Sequence, residues 1–403
     1  MKNLVFRHIG LIIALTVMSQ SCVEEIDVVE DLSFEDAIVI EATISDEMKQ
    51  HVVYISRSFS FEDESASPET NSQVSVTAGE STINFTEETP GTYVSNEAFS
   101  AKSGIDYRLF VTTSSGNSYT TLPVQLPVET EIDRVYASRE INSIGNEIMA
   151  IKVDSYDMSR ESNYYRYEYE ETYKIIAPNW VRPEFIILED EEGNELPAPG
   201  FTVRSSDEIV CYNTVLSNSI IQTSTTNLDE DRVTGFAVRT ISRDDPIISH
   251  RYSILVKQYV QSLEAYSYYY TLDQLTGSGN ALSQIQPGFI NSNIISTDDR
   301  EEKVLGFFDV ATVSEERFFF NYEDFFPGER LPPYFVSCGF SAPPIVTEGG
   351  TTPLKDAIQA GNVKFLRENL DPGRGEGPYD VVPRACGDCT ALGTSEEPDF
   401  WEE

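Results

Sequence analysis

Histidine is nearly absent from this chain. Three occur in 403 residues, and His8 comes just before the first apolar run. A Ser-His-Asp or Cys-His site would therefore have to use His51 or His250. His51 opens an apolar strand, and His250 follows Asp244-Asp245-Pro246. Neither stands in nucleophile-elbow or metal-ligand spacing, so both are read as structural. Basic residues are also few: 28 Lys and Arg face 67 Asp and Glu, for a formal net charge of -39. Nucleic acid binding needs basic patches, so nucleic acid is excluded as a partner. An anionic membrane surface is equally disfavoured, whereas a cationic ligand or a divalent ion would be tolerated. No glycine-rich phosphate loop occurs. Carboxylates are so common that no single pair points to glycoside chemistry. The acidic runs Glu189–Asn194 and Asp229–Asp231 lack the EF-hand register and read as solvated turns. The composition leads us to expect no enzyme, no metal and no cofactor.

What is present begins at the N-terminus. Lys2 and Arg7 precede the apolar stretch Ile9 to Met18, and Ser19-Gln20-Ser21 lead into Cys22. This is the layout of a signal peptide. The run is shorter than the ~20 residues of a transmembrane helix. A cysteine directly after the small-residue region marks Cys22 as the lipidation site and the first mature residue. The following Glu24, Glu25, Asp27, Glu30, Asp31, Glu35 and Asp36 have no basic residue among them. Such a run stays extended and solvated, which suits a tether from a lipid anchor.

Four further cysteines remain: Cys211, Cys338, Cys386 and Cys389. An even number in an exported chain reads as disulfides. Four cysteines allow three pairings, and spacing does not choose among them. Cys386-Gly-Asp-Cys389 has redox or zinc spacing, but no thioredoxin-like context surrounds it and no second pair or histidines lie near it.

The body reads as mainly β. Between residues 37 and 122, short runs alternate with period two and turn residues divide them. Val74 and Val76, Ile83 and Phe85, and Ile105, Tyr107, Leu109 and Val111 mark single faces. This fits an immunoglobulin-like or transthyretin-like sandwich. Leu122-Pro123-Val124-Gln125-Leu126-Pro127 reads as extended. We therefore divide the chain into a signal peptide (1–21), an acidic tether (22–36), a β-sandwich domain (37–122) and a linker (123–130). A larger antiparallel β-rich domain (131–340) and an irregular, disulfide-pinned C-terminal tail (341–403) follow. In the larger domain Asn163 to Ile176 sets Tyr165, Tyr167 and Tyr169 on a packed face, with Arg166, Glu168 and Glu170 on a wet one. Trp180 reads as packing over a sheet edge. The main helix is expected over about 262–276, capped by Ser262 and stopped by Gly277. Its stripe Leu263, Tyr266 and Tyr270 is expected to face the core. Leu354 to Leu370 has helical spacing, interrupted at Gly361. The final Pro398-Asp399-Phe400-Trp401 suggests a tail pinned onto the body.

Several stretches together resemble one family. They are Cys211-Tyr212 ahead of Ser219-Ile220-Ile221, Tyr252-Ser253-Ile254 with Gln258-Tyr259, and Ser262-Leu263-Glu264-Ala265-Tyr266. Pro287-Gly288-Phe289-Ile290, Val304-Leu305-Gly306-Phe307-Phe308 and the Cys386-to-Trp401 ending complete the set. They are similar to the Bacteroidota outer-membrane lipoproteins grouped as domain of unknown function 4249. The stretch Ser21-Cys22-Val23-Glu24-Glu25-Ile26-Asp27 looks like the acidic export signal of surface lipoproteins in that group. The resemblance implies a lipid-anchored outer-membrane protein at the cell surface. It implies an accessory role, capturing or capping substrate, at a TonB-dependent β-barrel transporter. It carries no catalytic residues and names no ligand. Two other classes stand beside this expectation: a structural or adhesive surface sandwich, and a hydrolase working through carboxylates alone.

Overall fold

A computed structural model describes residues 37–58, 66–277, 290 and 292–403. The expected signal peptide, Cys22 and the acidic tether lie outside the described residues.

The chain runs first through β1 (Ile38–Ser45), β2 (Val52–Arg57), β3 (Ser67–Pro68), β4 (Gln73–Ala78) and β5 (Ser81–Thr89). Then come β6 (Thr92–Ser95), β7 (Asp106–Thr112), β8 (Ser118–Thr121) and β9 (Val124–Gln125). The next set is β10 (Ile132–Ile141), β11 (Glu147–Tyr156), β12 (Tyr164–Ile176), β13 (Pro183–Ile186) and β14 (Gly200–Val203). It ends with β15 (Val210–Leu216), β16 (Ile221–Ser224), β17 (Arg232–Ser242) and β18 (Arg251–Val260). Helix α1 (Leu263–Gly277) precedes β19 (Ile294–Ser296), β20 (Val304–Leu305) and β21 (Phe308–Asn321). Helix α2 (Pro353–Gln359), β22 (Val363–Glu368) and β23 (Tyr379–Pro383) follow, with short helical turns at Tyr322–Phe325 and Arg384–Gly387. The mainly β reading therefore holds.

The first layer is built from strict alternation. Ile38, Ile40 and Ile44 of β1 are fully buried with Val53 and Ile55 of β2, Val76 of β4, Tyr93 of β6 and Leu109 of β7. Each such side chain contributes on the order of 1.5–3 kcal/mol when taken out of water. The same core includes Ile294, Val304, Phe308 and Val310. These four fall inside the 131–340 span, yet they complete the first layer. The 123–130 segment is not all linker, since β9 pairs with β7.

The second layer is a sandwich. The sheet of β10, β11 and β17 faces the sheet holding β15, β12, β18 and β21. Tyr165 and Tyr167 point into its core, as the alternation predicted.

One strand belongs to both layers. Residues 308–311 of β21 pair in parallel with 42–45 of β1, and residues 312–321 pair antiparallel with β18. At the changeover Val313 N donates to the Asp46 carboxylate at 2.9 Å, so the amide left by β1 keeps a partner. Gly306, just before β21, has φ +90°, and a Cβ there would lie 2.0 Å from Ile40 O. Only glycine lets the chain come this close to β1.

A third, small core joins distant segments. The β13–β14 hairpin packs on α2 and the β22–β23 hairpin through Phe185, Leu354, Phe365 and Val381. The helical spacing read over Leu354–Leu370 holds only to Gln359. At Gly361 the backbone turns left-handed (φ +65°), and Val363–Glu368 becomes a strand paired with β23.

Candidate functional site

Helix α1 covers one face of the continuous sheet. Ser262 caps it, its Oγ accepting from Ala265 N at 3.1 Å. The expected core stripe is wrong in its facing. Leu263 and Tyr270 are each 52% exposed, while Ala265 and Tyr268 are buried and pack with Tyr269 and Leu272 around Phe307. Positions 263, 266 and 270 and positions 265, 268 and 272 satisfy helical spacing equally well. The sheet beneath decides between them.

Beside α1 lies a cavity of about 510 Å³. One wall is the outer face of the β1–β2 pair, carrying Glu41, Thr43 and Tyr54, with Lys49 and Gln50 at its end. Glu41 and Tyr54 stand directly opposite each other across the two strands. The far wall is the outer face of β12, with Arg166 and Glu168, and Tyr269 of α1 overhangs it. Strands β21 and β18 run between the walls. The period of two that sends Ile40 and Phe308 into the core thus sends Glu41 and Asp309 to this face.

Arg166 dominates the far wall. It is only 8% exposed. Its Nη1 donates to Glu168, and its guanidinium lies 4.3 Å from the Tyr259 ring centroid and 4.9 Å from that of Tyr269. Tyr259 OH donates to the other Glu168 oxygen at 2.9 Å. Arg166 Nε is buried and has no hydrogen-bond partner among the described residues. Burial raises the Tyr269 hydroxyl to about 12, against the opposing pull of Arg166.

Asp309 lies fully buried beneath this surface. Its Oδ2 accepts from Gln261 Nε2 at 3.2 Å, and its Oδ1 has no partner among the described residues. Burial pushes its pKa up, while the nearby Arg166 charge opposes. Glu41 is exposed at the cavity mouth with no ion pair or hydrogen bond among the described residues. Desolvation by the surrounding protein still raises its carboxyl. His51 lines the cavity but is locked in place. Its Nε2 donates to Phe99 O at 3.0 Å, its ring packs on Phe99, and burial lowers its pKa, so it stays neutral.

Apart from His51, the residues singled out from sequence fall elsewhere. Cys211 bonds Cys389, and Cys338 bonds Cys386. The two cysteines of Cys386-Gly-Asp-Cys389 thus reach to different partners. The first bond ties β15 to the C-terminal segment, where Tyr212 and Thr394 exchange backbone hydrogen bonds. Trp401 is buried against Tyr212 and Phe319, so the tail is pinned onto the body. Trp180 is half-buried at the second core, under Arg204. Asp190 folds its turn by accepting from Glu192 N and Asn194 N. Missed altogether was the cavity set of Glu41, Lys49, Tyr54, Arg166, Glu168 and Tyr269. Arg166 and Glu168 were read as a wet face. The long-range pairing that covers them leaves no local trace.

Comparison with known proteins adds one firm relation. The family described as "Domain of unknown function (DUF4249)" matches residues 23–317. No curated protein matches the chain. Among solved structures, the three N-terminal domains of the bacteriophage RB49 Highly Immunogenic Outer Capsid protein (Hoc) are similar at 13% identity and a TM-score of 0.17. That match covers 57% of this chain and 64% of the other, and a likeness so loose bears on neither fold nor function.

Proposed function

This chain belongs to the domain of unknown function 4249 family, and on that footing we propose that it is an exported, lipid-anchored binding protein of the outer-membrane surface. In this reading Cys22 carries the lipid, and the acidic segment after it holds the folded body away from the bilayer. The body captures or caps a ligand for a TonB-dependent transporter and does no chemistry itself. Two disulfides suit an oxidising compartment. The observation that carries the reading is the cavity where the layers join, with buried Arg166 on one wall and, on the other, Glu41 with no partner among the described residues. The lining is mainly polar, with charges of both signs, and a charged ligand group finds its strongest hydrogen bonds at such groups. Binding is favoured over catalysis because the cavity's one histidine is held by Phe99 O and its arginine by Glu168.

Co-purification from detergent-solubilised outer membrane tests this. A β-barrel transporter is expected to accompany the chain; recovery of the chain alone would remove the transporter from the proposal. Cys22→Ala is expected to abolish acyl labelling and membrane attachment. A variant that stays in the membrane fraction would mean the anchor is misread.

A further inference from the structure

We propose that the cavity between β1–β2 and β12 is a site for a short peptide with free termini, its ammonium at Glu41 and its carboxylate at Arg166. The inference rests on the ligand-binding reading above and names its ligand class.

Four observations support it. Arg166 is more than nine-tenths buried and lines the cavity, and its Nε donor is unpartnered among the described residues. A carboxylate is the best-fitting partner for a guanidinium that lines a cavity. Glu41 is the converse: a carboxylate with no cation or donor on it among the described residues, partly desolvated, in a chain whose overall charge of -39 draws cations. Charges of both signs meet the cavity, Arg166 on one wall and Glu41 on the other, with Lys49 already paired to Glu47, so a ligand charged at both ends suits it. Span sets the length. Glu41 and Arg166 sit on strands with β21 and β18 between them. Three inter-strand steps of ~4.8 Å separate their backbones. With side chains standing upright on the sheet, that separation suits an extended peptide of a few residues better than a single amino acid. Tyr54, 54% exposed, and Tyr269 offer ring faces to the side chains between.

Equilibrium dialysis of a random tripeptide mixture against the purified full chain tests the proposal, with retained species read by mass spectrometry. The controls are the same mixture N-acetylated, the same mixture C-amidated, and neutral oligosaccharides. A subset of free tripeptides is expected to be retained at least tenfold over both blocked mixtures. Glu41→Gln sits on an exposed position and should keep the wild-type melting temperature. It should abolish the discrimination against acetylated peptides while keeping that against amidated ones. No peptide retention, equal retention of blocked and free peptides, or retention of oligosaccharides alone would each overturn the proposal. Its failure is separable from that of the transporter reading. A co-purified barrel without peptide binding sinks only the ligand class, and peptide binding without a barrel sinks only the partner.

Discussion

Asp309 lies fully buried on the covered face of β21, with one carboxylate oxygen on Gln261 and the other without a partner among the described residues. Burial raises its pKa in the folded chain. Between the ordinary aspartate range, about 3.9, and that raised value, the folded chain holds a proton the unfolded chain has lost. Stability therefore falls as pH rises through this window and is lowest above it. Asp309→Asn removes the titration, and its amide can donate to Gln261 Oε1, also unpartnered. The variant is expected to be more stable than the parent at pH 7 by about 1 kcal/mol, the net worth of a hydrogen bond. That advantage should shrink as pH approaches 4. Urea unfolding at stepped pH checks both points, and an advantage that grew on acidification would contradict the assignment.

At the scale of elements, β20 and β21 hold the layers together, and Gly306 lets them reach β1. A Cβ at 306 would strike Ile40 O at 2.0 Å with φ already at +90°. Gly306→Ala is expected to cost ~3 kcal/mol or more, from left-handed strain and overpacking against backbone. Its urea midpoint should drop, while Gly104→Ala, also at positive φ but with open space around it, should lose much less. The strands themselves were legible in the sequence, because alternation such as Tyr165 and Tyr167 follows directly from the pleat. The ends of α1 were legible too, from Ser262 and Gly277. Three features were not. The buried face of α1 depends on the sheet below it. The switch from helix to strand at Gly361 depends on the β23 partner. The union of β21 with β1 joins residues more than 260 positions apart, and no local pattern encodes such a pairing. The cavity forms at that union, so its residues were hidden for the same reason.

For the whole molecule, the tail is the fastening. Cys211–Cys389 closes a loop of 178 residues, and Cys338–Cys386 one of 48. Removing a native disulfide from a small secreted domain typically costs 2–5 kcal/mol. Cys211→Ser with Cys389→Ser should lower stability by about that much and loosen the terminal segment. Trp401 is one of two tryptophans and is buried against Tyr212 and Phe319. Its emission should move to the red in the double variant, and limited proteolysis should clip the chain after residue 391. An unshifted spectrum would show that the backbone pairing of Tyr212 with Thr394 holds the tail without the sulfur bridge.

The shared strand also governs the order in which the polypeptide can mature. β1 leads the described chain, and its lateral mate at residues 308–311 is made only after most of the polymer has been synthesised. Until then the β1 edge lies open, and Ile38 and Ile40 lack the cover of Val304 and Phe308. Contacts of such long sequence separation form slowly. A growing chain therefore cannot finish its first layer. Closure waits for the last third of the sequence, where three of the four cysteines that seal the product also lie.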